Sequence, residues 1–158
     1  MAELIKSQKI DLVIDASHPF AATISANAHD ACLTCMTPRL RLERPPWNVP
    51  GGAKLLYAAD MTEAADIISR LAQSVLVTTG QKNLDAFADC RDIHFVIRVI
   101  EAPSNPPPIR NHKFISGRPP HRLEDERALM SAYNIDCLLA KDSGGNATMA
   151  KITAAIER

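Results

Sequence analysis

Cys137-Leu-Leu-Ala-Lys-Asp-Ser-Gly-Gly-Asn-Ala-Thr-Met-Ala-Lys151 joins a short apolar run to a polar turn with two adjacent glycines, and then to a helical stretch. A strand that stops at a glycine turn and reopens as a helix is the repeating piece of an α/β protein. Ligands of such folds bind at the carboxyl ends of the strands. Gly144 and Gly145 allow a tight turn and a close backbone approach that a Cβ would obstruct, and the amides opening the helix favour an anion. Ser143 or Asp142 is expected to cap that helix, and Thr148 and Lys151, three residues apart, share one of its faces. The same residues also describe a well-capped turn that binds nothing.

Asp11-Leu-Val-Ile-Asp-Ala-Ser-His-Pro-Phe-Ala21 repeats the arrangement, an apolar strand ending in polar residues before a helical run. Asp15, Ser17 and His18 then fall at a strand's carboxyl end, beside a ligand if one binds. Histidine serves equally as a structural hydrogen-bonder and as an acid or base.

The 158 residues suffice for one full domain or two small lobes, and 46% apolar content supplies a core. Eighteen basic residues balance eighteen acidic ones, so no global field draws the chain to nucleic acid or to a membrane surface. Four cysteines make no dense disulfide framework in a chain of this length, which indicates a reducing compartment. The close pair Cys32 and Cys35 has no second Cys or His pair at zinc spacing, so no metal site is expected. There is no bilayer-length apolar run and no signal-peptide pattern, and a cytoplasmic protein is expected.

Residues 2–9 read as a helix, and 10–16 as a strand too continuously apolar to be half exposed. A helix over 19–36 precedes Arg39-Leu-Arg-Leu-Glu-Arg44, whose charged and apolar residues alternate in the period of a strand with one exposed face, on which Arg39, Arg41 and Arg44 are expected to be solvated. A loop with Pro45, Pro46, Pro50, Gly51 and Gly52 surrounds the sole tryptophan, Trp47. A short strand over 54–57 leads to a helix over 61–73, which Thr62 is placed to cap. Strands follow at 75–80, 92–100, 113–116 and 136–140, with helices at 123–133 and 147–157. Alternating strands and helices predict an α/β fold, two Rossmann-like lobes with mainly parallel sheets and a cleft between them, divided as 1–73 and 74–158. Neither a Gly-x-Gly-x-x-Gly turn nor a Walker loop is present.

Four separated motifs occur in one order: Val13-Ile-Asp-Ala-Ser-His-Pro-Phe-Ala21, Leu40-Arg-Leu-Glu-Arg-Pro45 with Trp47, Val77-Thr-Thr-Gly80, and Lys141-Asp-Ser-Gly-Gly145 with Thr148 and Lys151. From about residue 10 onward the chain resembles the precorrin-6A reductases of cobalamin biosynthesis. The resemblance implies a two-lobed enzyme that reduces one double bond of a tetrapyrrole macrocycle with a nicotinamide cofactor, NADPH or NADH, and without flavin or catalytic metal. The implied substrate is metal-free precorrin-6A or its cobalt-bearing counterpart. Members of that family begin with a strand and a glycine-rich turn and continue beyond the point that matches Arg158, so the chain is expected to lack both ends. Where many members have Gly-Pro-Phe, this chain has Gly117-Arg-Pro-Pro120.

The implied site places Asp15, Ser17 and His18 on the cleft floor, with His18 donating or orienting a proton. Thr78, Thr79 and Gly80 approach a ligand from the second lobe, and Lys141, Asp142, Ser143, Gly144, Gly145, Thr148 and Lys151 meet a carboxylate or phosphate. The competing reading is a non-catalytic lobe that binds a tetrapyrrole, a phosphorylated ligand or another chain. A missing first strand would leave 10–16 with an exposed edge, from which self-association is expected.

Overall fold

Every strand pair among the described residues is parallel. The structure is a computed structural model that describes residues 1–51 and 53–158, so Gly52 of the proline loop lies outside it. Two compact units result, one of residues 1–46 with 143–145, the other of 47–142 with 146–158. This differs from the division expected at residue 73. The helix preceding that point buries Ala65 and Ile68 in the same core as Val75 and Val77, so its apolar face ties residues 47–73 to the second unit.

The first unit contains α1 (Ala2–Ser7), β1 (Val13–Asp15), α2 (Ala22–Cys35) and β2 (Arg39–Arg41). Strands β1 and β2 pair in the register Val13 with Arg39, Ile14 with Leu40 and Asp15 with Arg41. Ile5, Ala31 and Cys32 form the core, with Val13 packed against it. The alternate residue Ile14 is 63% exposed and its register partner Leu40 is 58% exposed. The strand read as fully buried is therefore covered on one face, because helices pack on that face alone among the described residues. All four cysteines are free thiols.

The second unit contains α3 (Met61–Leu71), β3 (Ser74–Val77), β4 (His94–Val99), β5 (His112–Ser116), α4 (Leu123–Ala132), β6 (Cys137–Leu139) and α5 (Met149–Ile156). The strand order is β5-β4-β3-β6. Alternation along the strands serves two cores, as expected of a sheet covered on both sides. Val75, Val77, Phe95, Ile97 and Val99 join Ala65 and Ile68 of α3, whereas Leu76 and Val96 join Met130 of α4 and Ala154 of α5.

Residues 54–57 are not a strand. Leu55, Leu56 and Tyr57 are all exposed, and no neighbouring strand pairs with them among the described residues. The cap of α3 is Asp60 rather than Thr62: its Oδ1 accepts the Thr62 and Glu63 amides, both at 2.9 Å. Asp60→Ala should lower stability by about 1 kcal/mol in urea denaturation, the usual worth of such a cap; an unchanged midpoint would remove Asp60 from that role.

Candidate functional site

The order of the second sheet fixes where its ligand site belongs. The chain passes from β3 to β4 to β5 on one side, then returns to β6 on the other side of β3. The order reverses between β3 and β6, and in open parallel sheets the crevice outside the strand ends at such a reversal takes the ligand. Thr78 follows β3 there, and Lys141 follows β6 closely.

Thr78 links the two strands. Its amide and its Oγ1 both donate to the Leu139 carbonyl, at 2.9 and 3.1 Å. Lys151, in the first turn of α5, donates from Nζ to Thr78 Oγ1 at 3.1 Å, and its ammonium lies 5.8 Å from the Trp47 ring centroid. Burial and, next, the Arg98 charge push the Lys151 ammonium down from 10.5 to about 8, against the pull of Glu126. Two buried hydroxyls nearby in sequence, Thr79 Oγ1 and Thr148 Oγ1, have no hydrogen-bond partner among the described residues. A buried hydroxyl left unpaired costs about 1–3 kcal/mol, which a ligand's oxygens would offset. Gly80 takes φ of +89° in the turn after β3, a conformation that favours glycine.

Sequence reasoning missed three residues. Arg98 stands two positions after Val96, on the α4 and α5 face of β4, and its Nη1 and Nη2 each donate at 2.6 Å to the Glu126 carboxylate. Glu126 is 1% exposed. The third is His121, half-buried in the loop before α4, whose protonation is lowered by burial first and then by the Arg98 charge. The signals were present: Arg98 interrupts an apolar strand, and Glu126 lies between Leu123 and Met130 on the inward face of its helix. A charge in either place requires a partner.

The double-glycine turn belongs to the first unit. The Gly145 amide donates to the Pro45 carbonyl at 2.9 Å, and a Cβ on Gly144 would come within 2.3 Å of that same oxygen. The room that these glycines provide is thus taken up by protein. Gly144, at φ +61°, combines that contact with a left-handed backbone. Gly144→Ala should therefore cost at least about 1–3 kcal/mol of stability in urea denaturation, the range for overpacking; a variant as stable as the wild type would contradict this packing. Neither Ser143 nor Asp142 caps α5: Asn146–Thr148 forms a short 3₁₀ turn first, and Thr148 is the N-cap residue without a side-chain capping bond. Ser143 is buried, Asp142 is exposed and Lys141 is half-buried.

In the first unit Asp15 is buried at the end of β1. Its Oδ1 accepts from the Ser17 hydroxyl at 2.6 Å and the Ser17 amide at 3.2 Å, and its Oδ2 accepts from Arg39 at 2.8 Å. Arg39, which the alternation suggested was solvated, is instead an inward partner. The Ser17 hydroxyl first, with Ser25 and Arg41 in support, lowers Asp15 from 3.8 to about 2, so it is a fixed carboxylate near neutrality. His18 is exposed, and its Nδ1 accepts from the Phe20 amide at 3.2 Å.

These features define a class: an α/β protein with parallel sheets and a polar, cation-bearing site at a strand-order reversal. The profile of the family described as precorrin-6x reductase CbiJ/CobK matches residues 1–158. The precorrin-6A reductase of Mycobacterium tuberculosis (strain CDC 1551 / Oshkosh) is 43% identical over 152 residues, covering 96% of this chain and 61% of that protein. That of Rhodococcus erythropolis is 38% identical over 155 residues, covering 98% and 62%. A solved structure of CobK precorrin-6A reductase superposes with a TM-score of 0.90 at 28% identity, covering 99% of this chain and 64% of that one. The chain belongs to the precorrin-6x reductase CbiJ/CobK family, and it spans about three-fifths of the length of these relatives.

Proposed function

We propose that the protein reduces a double bond of a precorrin-6A-type tetrapyrrole in cobalamin biosynthesis, using NADPH or NADH. The observation that carries this reading is the match of the whole chain to a reductase family, together with a cationic site at the sheet position where α/β enzymes hold nucleotides and acids. The residues present fit an anionic ligand. Lys151 supplies the charge, Thr79 and Thr148 supply unpaired hydroxyls, and the turn at Thr78-Thr79-Gly80 leaves open space beside Gly80, where a Cβ would meet nothing within 4 Å.

The cofactor, when bound, supplies the hydride. The chain's own task is positioning: Lys151, Thr79 and Thr148 hold a phosphate of the cofactor or a carboxylate of the macrocycle, with Lys141 and Asp142 at the mouth of the β6 turn. In the first unit His18 is the candidate proton donor. Asp15 and Ser17 shape its turn rather than exchange protons, since the Asp15 carboxylate is already committed to Ser17 and Arg39. Gly144 and Gly145 seat the double-glycine turn, with the buried Ser143 before it, on Pro45 of the same unit. Among the described residues no helix is long and apolar enough to cross a membrane. The exposed side chains of Ile14 and Leu40, adjacent across β1 and β2, are where self-association would run.

The test is mass spectrometry of precorrin-6A and of its cobalt-bearing counterpart after incubation with the protein and NADPH or NADH. A product two hydrogens heavier supports the reading and names substrate and cofactor. Unchanged macrocycles that still bind tightly would favour a non-catalytic binding protein.

A further inference from the structure

Trp47 is the residue at which the chain enters the second unit, and it is half-buried. The Lys151 ammonium lies over its ring, 5.8 Å from the centroid, inside the roughly 6 Å over which a cation and an aromatic face attract. Among the described residues one hydrogen bond also holds the ammonium, the 3.1 Å donation to Thr78 Oγ1. The Thr78 hydroxyl gives its own proton to the Leu139 carbonyl, so it meets Lys151 with a lone pair. Both of these neighbours are neutral. The carboxylate that acts on the ammonium, Glu126 on α4, is engaged by both terminal nitrogens of Arg98. An ammonium has three donors, of which Thr78 takes one, and an aromatic face steadies the charge without using another. The remaining donors are available to a ligand.

We propose that Trp47 is a positioning residue of this site, whose indole face keeps the Lys151 ammonium charged and in place for an anionic ligand. The inference rests on the anion-binding reading above and deepens it. Burial and Arg98 on β4 oppose the charge on Lys151, and Glu126 supports it. His121, in the loop before α4, also feels that charge, and burial holds its own imidazole toward the neutral form. Trp47 acts on the side of Glu126, because the ring quadrupole attracts a cation far more than a neutral amine. The sign of its effect separates this role from mere exclusion of water. Loss of a water-excluding wall would let the ammonium hydrate, and its midpoint would rise toward 10.5. Loss of a cation-stabilising face, with an aliphatic side chain in its place, lowers the midpoint.

The test is NMR of the protein carrying carbon-13-labelled lysine, in which the Lys151 Cε–H signal is the one lost in Lys151→Met. Trp47→Leu should lower the Lys151 midpoint from about 8 by about half a pH unit to one unit. Trp47→Phe, which keeps an aromatic face, should recover most of that fall. Trp47→Met replaces the leucine variant if the latter does not fold. Calorimetric titration with sulfate at about pH 6, where Lys151 is charged in every variant that retains it, reads placement apart from charge. Sulfate affinity should fall about threefold or more in Trp47→Leu and stay within about twofold of wild type in Trp47→Phe. A midpoint that rises or stays fixed in Trp47→Leu, a phenylalanine variant no better than leucine, or unchanged sulfate affinity in the leucine variant overturns the proposal. In each of these cases sulfate binding that Lys151→Met abolishes leaves the anion site standing. If sulfate does not bind the folded wild type, the anion reading falls and the proposal falls with it.

Discussion

Glu126→Ala is expected to destabilise the folded protein by about 3–5 kcal/mol, the cost of leaving a buried charge without its partner. Arg98 is 10% exposed at its side chain and gives both terminal nitrogens to Glu126, so removal of the carboxylate strands a guanidinium over the apolar cluster of Leu76, Val96 and Met130. Urea denaturation gives the number directly. The double substitution Arg98→Met with Glu126→Leu should recover most of the loss, because apolar residues of similar volume often replace a buried pair without penalty. A single variant within about 1 kcal/mol of wild type, the worth of an exposed ion pair, would show the pair to be solvated instead.

Lys151→Met should act on binding and leave the fold intact. A charge-assisted hydrogen bond is worth about 1.5–3 kcal/mol, so an anionic ligand should bind roughly 10–100-fold more weakly. Trp47, near the Lys151 ammonium and the sole tryptophan, provides the fluorescence signal for NADPH titration. The pH dependence has a definite sign. Below about 8 Lys151 is charged in folded and unfolded chains alike, and the cost of its burial is fully present. Between about 8 and 10.5 the unfolded chain keeps the proton that the folded one has released, so this group's contribution to stability rises with pH. Affinity for the anion should run the other way and fall as the pH rises past about 8. The Met variant should lose both trends. A wild type whose NADPH affinity is flat across that range would mean that Lys151 does not face the ligand.

The alternation of strands and helices was legible because apolar runs such as Val75-Leu-Val77 and the turn residues after them carry their meaning locally. What failed was whatever depended on neighbours. Ile14 sits in an apolar run yet faces solvent, since burial depends on what covers a strand and not on the strand itself. Leu55-Leu-Tyr57 has strand residues without a ladder partner. Thr62 lost the capping role to Asp60, whose extended backbone lets one carboxylate oxygen reach two amides. In the site, Thr78 and Lys151 were read from motif spacing and do meet. The double glycine was read as space for a ligand and is filled by Pro45, which no local pattern reveals. Arg98, Glu126 and His121 went unnoticed because they are brought together from a strand, a helix and a loop. Two of them broke the apolar pattern of their own elements, and that break is the usable sign.

The role proposed for the reversal between β3 and β6 is to hold an anionic part of the ligands while a precorrin is reduced. The most direct measurement is the rate of NADPH oxidation with precorrin-6A as acceptor, compared between wild type and Lys151→Met near pH 7 and again above pH 8. Acceptor-dependent oxidation by the wild type should slow as the pH rises past about 8, and the variant should be slower by tenfold or more near pH 7 and indifferent to that rise. Equal rates for the two proteins at both pH values, or no oxidation by the folded wild type with either form of the acceptor, would contradict it.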